Sequence, residues 1–187
     1  MSSYIYVTVL ALEALLLIGI STYLFFLIYS SLKGSPYVPS KTKQLLTLLA
    51  VIQPTKKTRI LELGCGDGRF LRLAAKKYRA SGLGIDINPI VLLKAKIASS
   101  LQKVRTVEFR NLNISDQPLE GFQLIYLFLM PKLLGQLAPR LKRDLRPSTL
   151  VISHGFKIPG CDRYITRTLL GDPFDFYFYR FPKRKSR

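Results

Sequence analysis

By hydropathy the chain falls into one long apolar run, followed by short apolar stretches that alternate with amphipathic ones. From Tyr4 to Leu32 almost every position is apolar, interrupted by a single charge, Glu13, and a few small polar residues. A helix of about 20 such residues crosses the hydrocarbon core of a bilayer, and this run is longer. A soluble core helix keeps a polar side, which this run lacks. A cleaved secretion signal opens on basic residues and has a shorter apolar stretch, whereas Met1-Ser2-Ser3 has no basic side chain. The pattern therefore predicts a transmembrane anchor over residues 1–33, in contact with lipid through residues 4–32. No Lys or Arg precedes it, while Lys33, Lys41, Lys43, Lys56 and Lys57 follow. The excess of positive charge on inner loops then puts the body of the chain at the cytoplasmic face, or the equivalent internal face of an organelle. Tyr4, Tyr6, Tyr23 and Tyr29 lie towards the ends of the run, where amphipathic rings prefer the headgroup layer. Glu13 reads either as a side chain reaching for the interface or as a contact with another membrane protein.

Beyond the anchor, residues 34–56 form a pre-domain segment. Gly34-Ser35-Pro36-Tyr37-Val38-Pro39-Ser40 contains two prolines and is not regular helix. Ser40 is expected to cap a helix over 41–52, whose apolar face is Leu45, Leu46, Leu48, Leu49 and Ile52. Over residues 57–181 strands and helices alternate. Strands are predicted at 59–63, 82–87, 104–110, 124–129 and 150–154, with helices at 69–78, 89–99 and 132–145. Segments 164–169 and 174–181 read as a β-hairpin, in which the aromatic run from Phe174 to Phe181 is hairpin core rather than a ligand box. Near-continuous apolar strands joined by helices indicate a parallel sheet covered on both faces. The fold class is thus α/β, preceded by one transmembrane helix and followed by a basic tail, 182–187.

Charge sharpens this picture. The chain has 187 residues, enough for one domain and an appendage, and Lys and Arg outnumber Asp and Glu 29 to 11, a net charge of +18. Such a balance implies an anionic neighbour, either nucleic acid or an acidic membrane surface. Base-reading enzymes need a stacking platform and none is visible, so the anchor tips the choice to the membrane. Cys65 and Cys161 read as free thiols in a reducing compartment. With one histidine and no Cys/His cluster, no metal site is expected.

The densest chemistry is Ile60-Leu61-Glu62-Leu63-Gly64-Cys65-Gly66-Asp67-Gly68-Arg69-Phe70. A strand enters three glycines spaced by single residues, which let the backbone turn sharply and a ligand approach closely. Glu62 can accept hydrogen bonds from a cationic amine. On the next strand, Gly82-Leu83-Gly84-Ile85-Asp86-Ile87-Asn88 ends with an acid where ribose hydroxyls would be gripped. Glycine-rich turns also occur in plain α/β proteins and nicotinamide enzymes, but the dinucleotide fingerprint is G-x-G-x-x-G, whereas here the spacing is G-x-G-x-G behind an acid. The pair resembles motifs I and II of class I S-adenosylmethionine-dependent methyltransferases. That resemblance implies a Rossmann-like sheet and S-adenosyl-L-methionine as cofactor. Gly64, Cys65, Gly66, Asp67 and Gly68 would form its loop, with Glu62 at the amino group and Asp86 and Ile87 at the ribose. Asn111 stands where the family often has an acid for the adenine.

A narrower likeness rests on Ser35-Pro36-Tyr37-Val38-Pro39-Ser40, Gly66-Asp67-Gly68-Arg69, Tyr126-Leu127-Phe128-Leu129-Met130-Pro131 and Ser153-His154-Gly155-Phe156. These resemble the ATP synthase c-subunit lysine methyltransferases and their prokaryotic relatives, which also carry an N-terminal membrane segment. The resemblance implies methylation of an accessible lysine in a protein substrate. Residues 156–164 are too short for the family's last helix, which would leave one sheet face thinly covered. Tyr126, Met130 and Pro131 are expected in the acceptor channel, with Tyr37 closing over it. His154, at a strand's C-terminal end, either orients or deprotonates the acceptor or is a hydrogen-bonded structural residue. The rival readings are an RNA or lipid methyltransferase and a non-catalytic scaffold, the latter requiring a broken motif I.

Overall fold

The computed structural model describes residues 2–32 and 40–182. Tyr37 and residues 183–187 of the tail lie outside the described residues.

Helix α1 runs from Ser2 to Leu32. Its window Ser3–Phe26 has a mean hydropathy of 2.1 and no part buried against the rest of the chain. It is long and apolar enough to cross a membrane. Helix α2, Thr42–Ile52, has Lys41 at its N-cap and no side-chain cap, so Ser40 does not play the capping role expected of it. The Ser40 carbonyl instead accepts from Arg69 Nη1 at 3.0 Å, which commits that residue to the glycine loop.

The rest of the chain then follows the predicted alternation: β1 (Arg59–Leu63), α3 (Arg69–Tyr78), β2 (Ser81–Asp86), α4 (Pro89–Leu101), β3 (Val107–Asn111), β4 (Leu124–Leu127), α5 (Pro131–Asp144), β5 (Leu150–His154), β6 (Ile165–Leu169) and β7 (Phe176–Arg180). Asn88 caps α4 by accepting from the Ile90 and Val91 amides, with Pro89 in the first turn. The strands form one sheet in the order β3-β2-β1-β4-β5-β7-β6. The first five are parallel, and β7 pairs antiparallel with both β5 and β6. The chain starts in the middle and winds both ways, so the connections leaving β1 and β4 part company between those strands. That is where open α/β sheets hold their ligands.

Strand alternation sorts the side chains into two cores. Leu61, Leu63, Ile125, Leu127 and Val151 pack with Leu134, Leu137 and Leu141 of α5. Ile60, Leu124, Tyr126 and Ile152 pack with α2 and α3 through Leu45, Leu48, Phe70 and Leu71. The face expected to be thinly covered is closed without a helix. Ile158 and Cys161, on the connection from β5, are fully buried in the α5-side core, and the Ile158 amide donates to the Tyr179 hydroxyl at 2.9 Å. A three-residue 3-10 turn, Asp162–Tyr164, is all the helix found between β5 and β6.

Candidate active site

Between β1 and α3 the chain turns through Gly64, Gly66 and Gly68, at φ of +75°, +51° and +70°, a region that favours glycine. Space matters as well as torsion: a Cβ on Gly64 would come within 2.7 Å of Leu129 Cδ2, and one on Gly68 within 2.3 Å of the Phe109 ring. Asp86 holds the loop from the neighbouring strand. Its Oδ2 accepts from the Gly66 amide and its Oδ1 from the Asn88 amide, both at 2.9 Å. Burial raises the pKa of this carboxyl, and those backbone donors pull it back down.

Asp67, partly buried on the same turn, pairs with Arg69 at 3.0 Å. Arg72, from α3, donates to the Asp67 carbonyl. Arg69 thus ties the loop to Ser40 and so to the start of α2. Cys65 is buried beneath Gly84, with its Sγ 2.8 Å from where a Cβ would stand there. Burial pushes its thiol well up, and the charge of Glu62 pushes it further. It therefore stays protonated and packs rather than reacts.

Glu62 is the unusual group. It is buried on β1, and its Oε2 has no hydrogen-bond partner among the described residues. Desolvation raises its pKa well above the ordinary carboxylate range, and Asp67 raises it further. The Leu71 amide and Arg72 act in the opposite sense. A buried acceptor left unpaired is costly, and the cost is removed if a cationic donor reaches it.

Beside the loop lies a cavity of about 310 Å³ at the C-terminal ends of the strands, lined by Gly64, Asp86, Ile87, Asn113, Leu129 and Lys132 among others. Asn111 is exposed, and its amide donates to the Asp86 carbonyl at 3.0 Å. Asn113, two residues on, lines the cavity instead, as do Lys132 and Gln136 of α5. Sequence reasoning missed all three. Asn113 could have been found as the next amide along the same turn, but nothing in the sequence marks the other two. These features fit the cofactor that the motif resemblance implies. Glu62 offers an unpaired acceptor for its ammonium, the glycines leave a cradle that a Cβ would fill, and Asp86 stands at the cavity edge.

A second group occupies the α3 side of the sheet. Tyr126 on β4 is opposite Glu62 of β1 in the parallel register, and its ring stacks on Phe70 at 4.0 Å between centroids. Its hydroxyl is 2.8 Å from His154 Nδ1. Burial pushes this phenol well above its ordinary pKa, the Glu62 charge adds to that, and the Ser40 side chain acts in the opposite sense. His154 is fully buried, sandwiched between Phe128 and Phe176, each at 4.2 Å. Its Nε2 has no partner among the described residues, and desolvation lowers its pKa to about 4. The ring is therefore neutral near pH 7. Half-buried Phe156 and Phe174 complete an aromatic cluster with Phe128 at the ends of β4 and β5. Pro131 begins α5 on the surface, next to partly exposed Met130.

Comparison with known proteins gives the family. The family model described as the ANTKMT methyltransferase domain matches residues 62–164. A protein-lysine N-methyltransferase of Saccharolobus islandicus (strain REY15A) is 28% identical over 129 residues, covering 67% of this chain and 79% of that protein. The ATP synthase c-subunit lysine N-methyltransferase of Caenorhabditis elegans is 29% identical over 147 residues, covering 75% of this chain and 76% of that protein. Among solved structures, an RNA methyltransferase from Salinibacter ruber in complex with S-adenosyl-L-homocysteine superposes with a TM-score of 0.74 at 27% identity, over 80% of this chain and 97% of that one. The match covers more than half of the 187 residues, and with it the chain belongs to the ANTKMT methyltransferase domain family, whose members are S-adenosylmethionine-dependent methyltransferases.

Proposed function

We propose that the chain methylates the ε-amine of a lysine in a membrane protein, working at the inner face of the membrane that holds α1. The observation that carries the lysine assignment is the cluster of half-buried rings, Phe128, Phe156 and Phe174, at the strand ends next to buried Tyr126 and His154. A lysine must be neutral to act as a nucleophile, and an apolar, poorly solvated approach favours its neutral form. The names of the relatives from Saccharolobus islandicus and Caenorhabditis elegans point the same way. The membrane assignment rests on α1, apolar over Ser3–Phe26 and unburied.

When bound, S-adenosylmethionine would supply a sulfonium methyl to the neutral amine, its S–CH3 bond breaking to leave the thioether S-adenosylhomocysteine. Glu62 would bind the ammonium of its methionine part, Asp86 and Ile87 would hold the ribose, and Asn113 would meet the base from the cavity wall. Gly64, Gly66 and Gly68 let the backbone come close. The work left to the protein is alignment and exclusion of water. Tyr126 is held by His154 on one side and stacked against Phe70 on the other, which fixes its ring beside Glu62. With its pKa near 4, His154 is a poor acceptor for a lysine proton. We therefore give it a positioning role, acting through Tyr126, and the ammonium proton leaves to solvent before the amine enters the cluster.

RNA is the second reading, favoured by the +18 net charge and by the RNA methyltransferase of Salinibacter ruber. The two are separated by incubating the detergent-solubilised full chain with methyl-labelled S-adenosylmethionine and either membrane protein or RNA from the same cells. The expected result is label in methyl-lysine of a membrane protein, lost with Asp86→Ala. Label in RNA with none in protein would overturn the lysine reading.

A further inference from the structure

Helix α4 carries an apolar face that nothing among the described residues covers. Its inner side, Val91, Leu92, Ala95 and Ser99, is buried against the sheet. On its outer side Leu93, Ile97 and Leu101 are 56%, 51% and 79% exposed. Spaced four residues apart, they fall within an arc of about 80° on a helix that turns 100° per residue. By the same geometry Lys94 and Lys96 flank the arc on either side, and Lys103 and Arg105 follow just past its end. No acidic residue lies between Pro89 and Leu101.

The position of α4 identifies what covers this face. Its capping residue, Asn88, donates from Nδ2 to the Phe26 carbonyl of α1 at 3.3 Å. One and a half turns on, the Lys94 ammonium stands 5.0 Å from the centre of the Tyr23 ring. Both contacts fall in the last turn of the apolar window Ser3–Phe26. A bilayer that holds that window therefore brings its headgroup layer to the side of α4.

We propose that the outer face of α4 docks on the anionic lipid surface, with Leu93, Ile97 and Leu101 inserted at the headgroup–acyl boundary and Lys94, Lys96 and Lys103 paired with lipid phosphates. This inference rests on the reading of α1 as a membrane anchor. An apolar stripe edged by lysines is the chemistry of an interfacial helix, and each basic residue near an anionic surface adds to the attraction. A second copy of the chain is the poorer occupant, because pairing two such faces brings their lysines together. Docking has a functional consequence. A single helix leaves a domain free to swing, whereas a second contact beside it fixes the height and tilt of the cavity whose edge, Asp86, lies just before α4.

The chain contains no tryptophan, so single tryptophans report without background. The full chain is reconstituted in phosphatidylglycerol-rich vesicles carrying brominated acyl chains, as Ile97→Trp, Leu16→Trp and Glu120→Trp. Leu16 lies in the middle of α1, and Glu120 is exposed next to the core on the other side of the sheet. Docking predicts a blue-shifted Ile97→Trp emission, quenched roughly twofold or more by bromines near the headgroups, with Glu120→Trp unaffected. If Leu16→Trp is quenched by deep bromines while Ile97→Trp is not, the docking inference is overturned and the anchor stands. A blue-shifted but unquenched Ile97→Trp means that protein covers α4, which also overturns it. If Leu16→Trp escapes quenching as well, the membrane reading itself fails.

Discussion

Among the titratable side chains, His154 couples most directly to pH. Its ring is enclosed by Phe128 and Phe176 and, among the described residues, has one polar contact, the Tyr126 hydroxyl. Its pKa is lowered to about 4 from an ordinary 6.5, so the folded chain binds fewer protons at this site than the unfolded chain does. The stability it contributes is present above pH 6.5 and is lost as pH falls through that window towards 4. A shift of this size corresponds to about 3 kcal/mol. Glu62 and Asp86 have raised values and so act with the opposite sign, favouring the folded state on acidification. They are present in any His154 variant, and a difference measurement removes them. Thermal unfolding of wild type and His154→Phe should therefore diverge between pH 7 and pH 4. Wild type should lose stability relative to the variant by up to about 3 kcal/mol, and parallel curves would mean that the imidazole is not desolvated in solution.

At the scale of elements the glycine loop is the most constrained part of the site. Gly68 combines φ of +70° with a Cβ position 2.3 Å from Phe109 Cε1 and 3.2 Å from Ala95 Cβ. An alanine there meets torsional strain and a buried ring that has to move. Such strain costs about 1 to 2 kcal/mol, and overpacking a core adds roughly 1 to 3 kcal/mol. Gly68→Ala should lower the unfolding midpoint and weaken cofactor binding together, since Phe109 supports the turn from β3. A midpoint unchanged in a thermal melt would mean that Phe109 has room to swing away. This loop was legible in the sequence because its information is local: strand, spaced glycines, then helix, with β1 at 59–63 and α3 at 69–78 where the pattern puts them. Tyr126 and His154 were legible only as residues at strand ends. That they touch depends on the β4–β5 register, in which Tyr126 pairs with Ile152 and leaves His154 two residues on, facing the same side, and no local pattern encodes register. Ser40 was misjudged for a related reason. Its spacing suits a cap, but Arg69 and Tyr126, distant in sequence, claim it. The closure of the β5 side by Ile158 and Cys161 was equally hidden, because a loop that fills a core has no periodicity to read.

For the whole molecule the question is what anchor and charge do together. Helix α1 is unburied over Ser3–Phe26, and under the proposed membrane reading its effect on activity comes from where it holds the domain. If α1 spans the bilayer as proposed, confinement turns the encounter with a membrane-bound lysine into a search over a surface at high effective concentration, while a soluble lysine gains nothing. Tethered encounters of this kind gain about 100-fold or more without any new contact. With the full chain reconstituted in vesicles, one lysine peptide should therefore be methylated about 100-fold faster when lipid-anchored in the same vesicle than when free in solution. Salt distinguishes this cause from attraction by the +18 charge. A hydrophobic anchor is insensitive to ionic strength, so the advantage should persist when surface charges are screened over only about 3 Å near 1 M salt. If the advantage collapses with salt, the basic surface rather than α1 brings the enzyme to the vesicle that carries its substrate, because attraction between surface charges is what salt screens.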